Sequence, residues 1–270
     1  MEITSRHNPL IRRIKQMQSR RRVRRKENAF FVEGVPFVSL ALDCNARIQT
    51  LLFCEPLLTD DTGRLILADQ RRKGTSCLAV SQPVFEHLCQ RNNPDGLAAL
   101  IETRLETLDT LSPEPTDLFV ALVEPSDPGN LGTILRTLDA VDAASCILVG
   151  KSTDPFHPRA VTASRGTVFK VPIAHADTTS QLFEWAHQHH VNTIASSARA
   201  GSPHWSTPCP LPALLIIGSE HEGLDPATID NADQLVTIPM QGVSHSLNVA
   251  VATALLLYEL KRPTHNRPQV

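Results

Sequence analysis

Three polar stretches each follow a short apolar run and lead toward a helical segment. "EPSDPGNLGTILRT" (124–137) carries Asn130 and Arg136, "SEHEGL" (219–224) carries Glu220, and "MQGVSHSLN" (240–248) carries Ser244, Ser246 and Asn248. Together they offer hydroxyls, amides, one carboxylate and one guanidinium, a set suited to holding and orienting a polar ligand. The fork of Arg136 matches phosphate geometry, although a single arginine is more often a surface or ion-pair residue. Gly218, Gly223 and Gly242 let main-chain N–H and C=O groups approach a ligand closely. Ser246 and Asn248 also suit the N-cap of the apolar run Val249–Leu257, since a short side-chain oxygen accepts from the unpaired first-turn N–H groups. One residue would do that, and three polar residues spaced by two reach further.

Several familiar chemistries are missing. No G-x-x-x-x-G-K-[ST] phosphate loop occurs. "GSEHEG" is neither G-x-G-x-x-G nor G-x-S-x-G, so neither a dinucleotide turn nor a nucleophile elbow is supported. "HQHH" (His187, His189, His190) lacks a carboxylate or cysteine at ligand spacing, and no metal site is expected. Backbone groups beside an apolar wall suit an adenosine-like cofactor better than a metal.

The elements that must position these residues follow from periodicity. From 117 onward, short apolar runs ("LFVALV", "CILVG", "KVPIA", "VNTIAS", "ALLIIG", "QLVTIP") alternate with helical stretches at 130–142, 157–169, 179–190 and 246–260. That alternation predicts a mostly parallel α/β sheet. Ligands of such sheets bind beyond the carboxyl ends of the strands, where the three polar stretches fall. Residues 1–105 read as a smaller α/β domain. "NPLIRRIKQMQ" has Leu10, Ile11, Ile14 and Met17 at helical spacing, "AFFVEG", "IQTLLFC" and "LAALIE" read as strands, and "VPFVSLAL" reads as a helix. "ETLDTLSPEPT" (106–116), with two prolines, reads as a linker to a domain at 117–270.

Charge separates the two parts. The chain has 26 basic and 28 acidic residues, but residues 1–26 hold ten of the bases and one acid. Arg12, Arg13, Arg20, Arg21, Arg22, Arg24 and Arg25 dominate this block. Such a block meets a polyanion, and phosphate contacts supply most non-specific nucleic-acid affinity. No segment approaches the apolar length of a membrane span, and no h-region follows the N-terminal charges. The six cysteines are scattered without C-x-x-C spacing, as expected of unpaired thiols in a reducing cytoplasm.

"DPGNLGTILRTLDA", "LLIIGSEHEGL" and "VTIPMQGVSHSLNVAVATALLLYE" resemble, in order, the three motifs of the SpoU (TrmH) branch of the SPOUT RNA methyltransferases. "PRAVTASRGTVFKVPI" looks like that family's intermotif helix and strand. "ITSRHNPLIRRIKQMQSRRRVRRKENAFFVEG" is similar to the L30e-like RNA-binding domain of its ribosomal-RNA members. The combination looks like the 23S ribosomal RNA 2′-O-methyltransferases. The resemblance implies a C-terminal trefoil knot that binds S-adenosyl-methionine, and an obligate homodimer. The knot comes from the resemblance alone, because connections of that kind are rare. Residue by residue, it implies catalytic positions at Asn130, Arg136, Glu220, Ser246 and Asn248. It implies cofactor contacts at Gly218, Ile238, Met240 and Leu247, and RNA contacts along the basic stretch. Arg136 stands as either the base for the ribose hydroxyl or an anchor for the neighbouring phosphate. A transfer-RNA substrate and an inactive RNA-binding protein of the same fold remain the competing readings.

Overall fold

The computed structural model describes residues 2–243 and 245–262, so Ser244 of the third polar stretch lies outside the described residues. The chain divides into two compact units, Met1–Arg104 with Phe156–Phe169, and Leu105–Pro155 with Lys170–Val270.

The first unit begins β1 (Glu2–Ile3), α1 (Pro9–Ser19), α2 (Arg21–Glu27), β2 (Ala29–Glu33), α3 (Val35–Asp43) and β3 (Ile48–Phe53). It continues α4 (Asp61–Arg72), β4 (Ser76–Val80), α5 (Gln82–Leu88) and β5 (Leu97–Glu102). Its sheet has the order β1-β4-β3-β5-β2, and β5 runs antiparallel to both neighbours. Asn8 starts α1 by accepting from the Leu10 N–H at 2.9 Å, with Pro9 in the first turn where its missing N–H is harmless. Ile11, Ile14 and Met17 then fall on one stripe and are fully buried.

The basic run after α1 is not uniform. Arg24 is 2% exposed, and its guanidinium donates to the carbonyls of Met17 and Gln18 at the end of α1. Expected as an RNA contact, Arg24 is a structural residue, because it satisfies carbonyls that the helix end leaves unpaired.

The second unit contains β6 (Glu106–Thr107), β7 (Leu118–Val123), α6 (Pro128–Ala140) and β8 (Ser145–Val149). Next comes α7 (Pro158–Ala163), which belongs to the first unit. The second unit resumes with β9 (Ile173–Ala176), α8 (Thr179–Gln188), β10 (Asn192–Ser196), β11 (Ser202–Pro203), β12 (Ala213–Ile217), α9 (Pro226–Asn231), β13 (Gln234–Thr237) and α10 (Val249–Leu260). The sheet order is β11-β13-β10-β12-β7-β8-β9-β6, and every pairing is parallel. All the carboxyl ends therefore lie on one edge. The core includes Phe119, whose ring meets Trp185 edge-on at 5.2 Å.

Two expectations are corrected. Residues 106–116 are not a free linker: β6 pairs with β9, and Leu108 and Leu111 are buried in the core of the second unit. Burying a leucine is worth about 1.5–3 kcal/mol, enough to hold such a segment down despite its prolines. The expected helix over 157–169 stops at Ala163, because Arg165 and Gly166 take positive φ values of 55° and 88°. A Cβ on Gly166 would come within 2.7 Å of the Leu40 side chain, so the turn needs glycine there. This stretch packs in the first unit, where the Phe156 ring lies 4.8 Å from that of Phe30.

Candidate active site

The three polar stretches converge at the carboxyl edge of the second sheet. The first opens α6: the Asp127 carboxylate accepts from the Asn130 N–H at 2.9 Å, and Pro128 occupies the first turn. The second leaves β12 at Gly218. A Cβ there would sit 2.2 Å from the Gly223 carbonyl carbon, so only glycine allows the 218–224 loop to fold back on itself. The third opens α10, where Asn248 Oδ1 accepts from the N–H groups of Ala250 at 2.9 Å and Val251 at 3.4 Å.

A directional hydrogen-bond bridge joins them. Because Asn248 Oδ1 is committed to the helix cap, its Nδ2 faces outward and donates to Asn130 Oδ1 at 3.0 Å. Asn130 Nδ2 then donates to Glu220 Oε1 at 3.2 Å. Glu220 Oε2 accepts from Ser126 Oγ at 2.9 Å and from the Ser126 N–H at 3.3 Å, and Oε1 also accepts from the Asp127 N–H at 3.4 Å. Each amide has one orientation consistent with all its partners. Burial acts to raise the Glu220 carboxyl pKa, but donation from its own N–H, Asn130 and Ser126 outweighs burial and lowers it below its ordinary value. A carboxylate anchored this way ties residue 220 to residues 126–130 and, through Asn130, to residue 248.

Arg136 stands apart from the bridge. It lies six residues beyond Asn130, about a third of a turn round α6, and its side chain is exposed. Among the described residues it makes no hydrogen bond or ion pair. Its guanidinium is available to an anion arriving from solvent.

Beside the bridge lies a small recess of about 90 Å³. Ile238, Met240, Ser246 and Leu247 line it, with Ala252 and Leu256 of α10 forming its apolar floor. Three of the four expected cofactor contacts, Ile238, Met240 and Leu247, therefore share one cavity with Ser246. Gly218 is not in that lining and serves the loop turn. An apolar wall with hydroxyl groups at its edge fits an adenosine-like ligand. The recess also takes Ser196, which ends β10, and the following Ser197 and Ala198, which the sequence reading did not single out. Ser126 was also missed. The signal for Ser196–Ala198 was a run of small residues after a strand; that for Ser126 was its place beside a capping aspartate.

Of the expected RNA-binding arginines, Arg12, Arg13, Arg20, Arg21, Arg22 and Arg25 are exposed on or between α1 and α2. Arg13 pairs with Glu27 at 3.3 Å. His187, His189 and His190 lie exposed at the end of α8. Among the described residues no three His, Cys, Asp or Glu side chains gather into a metal-binding group, and no helix is long and apolar enough to cross a membrane.

The fold is that of an RNA methylase. The SpoU rRNA Methylase family matches residues 117–258, and the MRM3-like substrate binding domain matches residues 8–99. A Bacillus subtilis protein named 23S rRNA (guanosine(2553)-2'-O)-methyltransferase RlmP is 28% identical, covering 96% of this chain and 99% of its own. A Streptomyces viridochromogenes 23S rRNA (uridine(2479)-2'-O)-methyltransferase is also 28% identical, over 96% and 91%. The AdoMet-bound structure of an rRNA methyltransferase from Sinorhizobium meliloti superposes with a TM-score of 0.88 at 34% identity, covering 97% of each chain. The chain belongs to the SpoU rRNA methylase family. It is accordingly an S-adenosyl-methionine-dependent RNA 2′-O-methyltransferase.

Proposed function

We propose that this enzyme methylates a ribose 2′-OH of 23S ribosomal RNA in the cytoplasm, as a homodimer whose catalytic unit is knotted. Residues 1–105 select the RNA and residues 117–270 carry out the transfer. The observation that supports the target most is the two-part organisation: the 23S enzymes above match this chain over nearly its whole length, RNA-selecting part included.

S-adenosyl-methionine supplies an already electrophilic sulfonium methyl, so the protein's tasks are positioning and removal of the hydroxyl proton. We assign Ile238, Met240, Leu247 and Ser246 to the cofactor. The Glu220–Asn130–Asn248 bridge fixes the loops that carry Ser246 and Leu247 relative to α6. Arg136, exposed and unpaired, anchors the phosphate beside the acceptor ribose, a role its permanent charge and forked donors suit better than proton abstraction.

The strand order and one long-range hydrogen bond support a knot. In the sheet β10 and β12 lie between β13 and β7, yet Asn248, which follows β13, donates to Asn130 on α6, which follows β7. The dimer is supported by α10. Its inner face is buried, while Leu247, Val251, Leu255 and Tyr258 are 36–59% exposed and follow one another at intervals of three or four residues. A stripe of that kind on a soluble chain marks an interface.

The test is methyl transfer from labelled S-adenosyl-methionine to purified 23S RNA and transfer RNA side by side. Label in 23S RNA is the expected result, and label confined to transfer RNA overturns the target. In the same preparations Leu255→Glu should shift a dimer to a monomer by light scattering, and a wild type that is already monomeric removes the dimer.

A further inference from the structure

Five surface cations of the first unit are held beside carboxylates. Arg13 pairs with Glu27, Arg47 with Glu102, Arg91 with Asp95, and Arg72 and Lys73 with Asp69. One group is held differently. Lys15 Nζ donates to the His87 carbonyl at 3.0 Å, Arg6 Nη2 donates to the Pro83 carbonyl at 3.3 Å, and Arg12 Nη2 lies 3.4 Å from His7 Nδ1. Among the described residues none of these three cations pairs with a carboxylate. Two are fixed by main-chain carbonyls and the third lies beside an imidazole, so no carboxylate among the described residues offsets their charge.

The three converge. Arg6, His7, Arg12, Lys15, Gln16 and His87 line one open recess of about 650 Å³ between α1, the turn before it and the end of α5, with no carboxylate in its wall. His87 also feels two of these cations. Burial, then Lys15 and Arg6, push its pKa below the ordinary histidine value. The bland role of Lys15 is to satisfy a carbonyl at the end of α5. That role does not explain Arg6 and Arg12 gathered on the same space. Ordering costs of long side chains are already met here, which favours an incoming anion. Arg12, His7 and Gln16 also form one side of a neighbouring groove of about 390 Å³, where Lys26 continues the basic track and Glu27 supplies the one carboxylate. A seat that opens onto a second basic groove suits an anion on a chain.

We infer that this recess seats a phosphodiester of the substrate RNA, with Arg6, Arg12 and Lys15 as its clamp and the strand running on past α1 toward Lys26. The inference rests on the RNA reading given above. It gives Arg6, His7, Lys15 and His87 a defined place on the RNA surface and separates this built seat from the dispersed arginines of α2.

The experiment uses the full chain and a fluorescein-labelled mixed-sequence oligoribonucleotide, with anisotropy measured across a salt series. Arg6→Gln with Arg12→Gln is compared with Arg47→Gln with Arg72→Gln, which removes the same charge from carboxylate-paired positions. The seat variant should lower the magnitude of the log–log salt slope by about 1–2, and the control should leave it nearly unchanged. Equal loss in both, or no loss in the seat variant, overturns the seat. Inorganic phosphate is then tested at matched ionic strength. Displacement of RNA by millimolar phosphate but not by chloride, with an unchanged slope in the seat variant, would make it a small-anion site and overturn the RNA assignment. The methyl-transfer assay on 23S RNA is read separately, so a wrong target and a wrong seat give different results. Thermal unfolding of both variants checks that they are folded, and Arg12→Lys should restore most of the slope if charge at the seat is what matters.

Discussion

On and between α1 and α2 six arginines stand exposed to solvent, whereas at the carboxyl edge of the second sheet three side chains share one directional chain of hydrogen bonds. The first arrangement works through charge, which acts over a Debye length of about 8 Å at physiological salt and tolerates displacement of any one group. The second works through atom-by-atom complementarity. Asn248 can donate to Asn130 only because its oxygen caps α10, and Asn130 can donate to Glu220 only because its own oxygen is already taken. Substrate capture should therefore fail by degrees and recover at low salt. The transfer site should fail abruptly at single atoms and ignore salt.

Arg136→Ala is the sharpest attack on that contrast, because Arg136 is an exposed cation placed in the transfer unit. If it behaves as a site residue, turnover falls by about 10²–10³-fold, the usual effect of removing one well-placed charge donor at a reacting centre. Binding of S-adenosyl-methionine by calorimetry should stay close to wild type, since Arg136 does not line the recess. Low salt should not rescue turnover. Retained methyl transfer removes Arg136 from the mechanism.

Glu220→Gln should have a smaller effect, on stability and cofactor affinity together. The new amide NH₂ must face donors from Ser126, Asp127 or Asn130, and hydrogen bonds to a charged group are worth about 1.5–3 kcal/mol each. We expect a loss of about 1–3 kcal/mol. Its pH dependence follows from the sign of the shift. The folded carboxyl pKa is lowered, so the contribution of Glu220 is complete above the unfolded value of about 4.3 and disappears as pH falls through the folded one. The stability gap between wild type and Glu220→Gln should be constant near neutrality and close in acid. A gap that widens in acid contradicts the bridge.

The same contrast governs what could be read beforehand. The meeting of the three polar stretches was legible because they follow apolar strands of the second sheet, and a parallel sheet delivers those ends to one edge. Which residues touch was not legible: nothing in "EPSDPGN" says that Ser126 reaches Glu220, ninety-four positions away. Long-range partners depend on how loops fold back, and Gly218 shows how local that control is. In the first unit, α4, β4 and α5 went unread. β4 is only partly buried over most of its length, so its alternation is weak, and α4 carries Gly63 within its first turn. The linker reading failed because two prolines outweighed Leu108 and Leu111 in composition, while burial favoured the leucines. The unbroken helix at 157–169 failed because an arginine in a left-handed conformation carries no sequence mark of its own.

Arg24 and Arg25 give the finest test, since they are adjacent, identical in type and assigned opposite duties. Charge alone treats them as equals. The structure buries the first and exposes the second. In Arg24→Ala the Met17 and Gln18 carbonyls lose their donor inside the protein, at about 1–3 kcal/mol, so the melting temperature should fall by several degrees. Its salt slope for RNA should hold wherever the variant is folded. Arg25→Ala should change stability by no more than about 0.5 kcal/mol, because it leaves no buried group unpaired. Its RNA affinity should drop slightly, with the salt slope lowered by about 1. If the two variants instead lose RNA affinity equally at equal stability, the α1–α2 segment acts as a uniform charged surface, and burial has no bearing on which arginine meets the RNA.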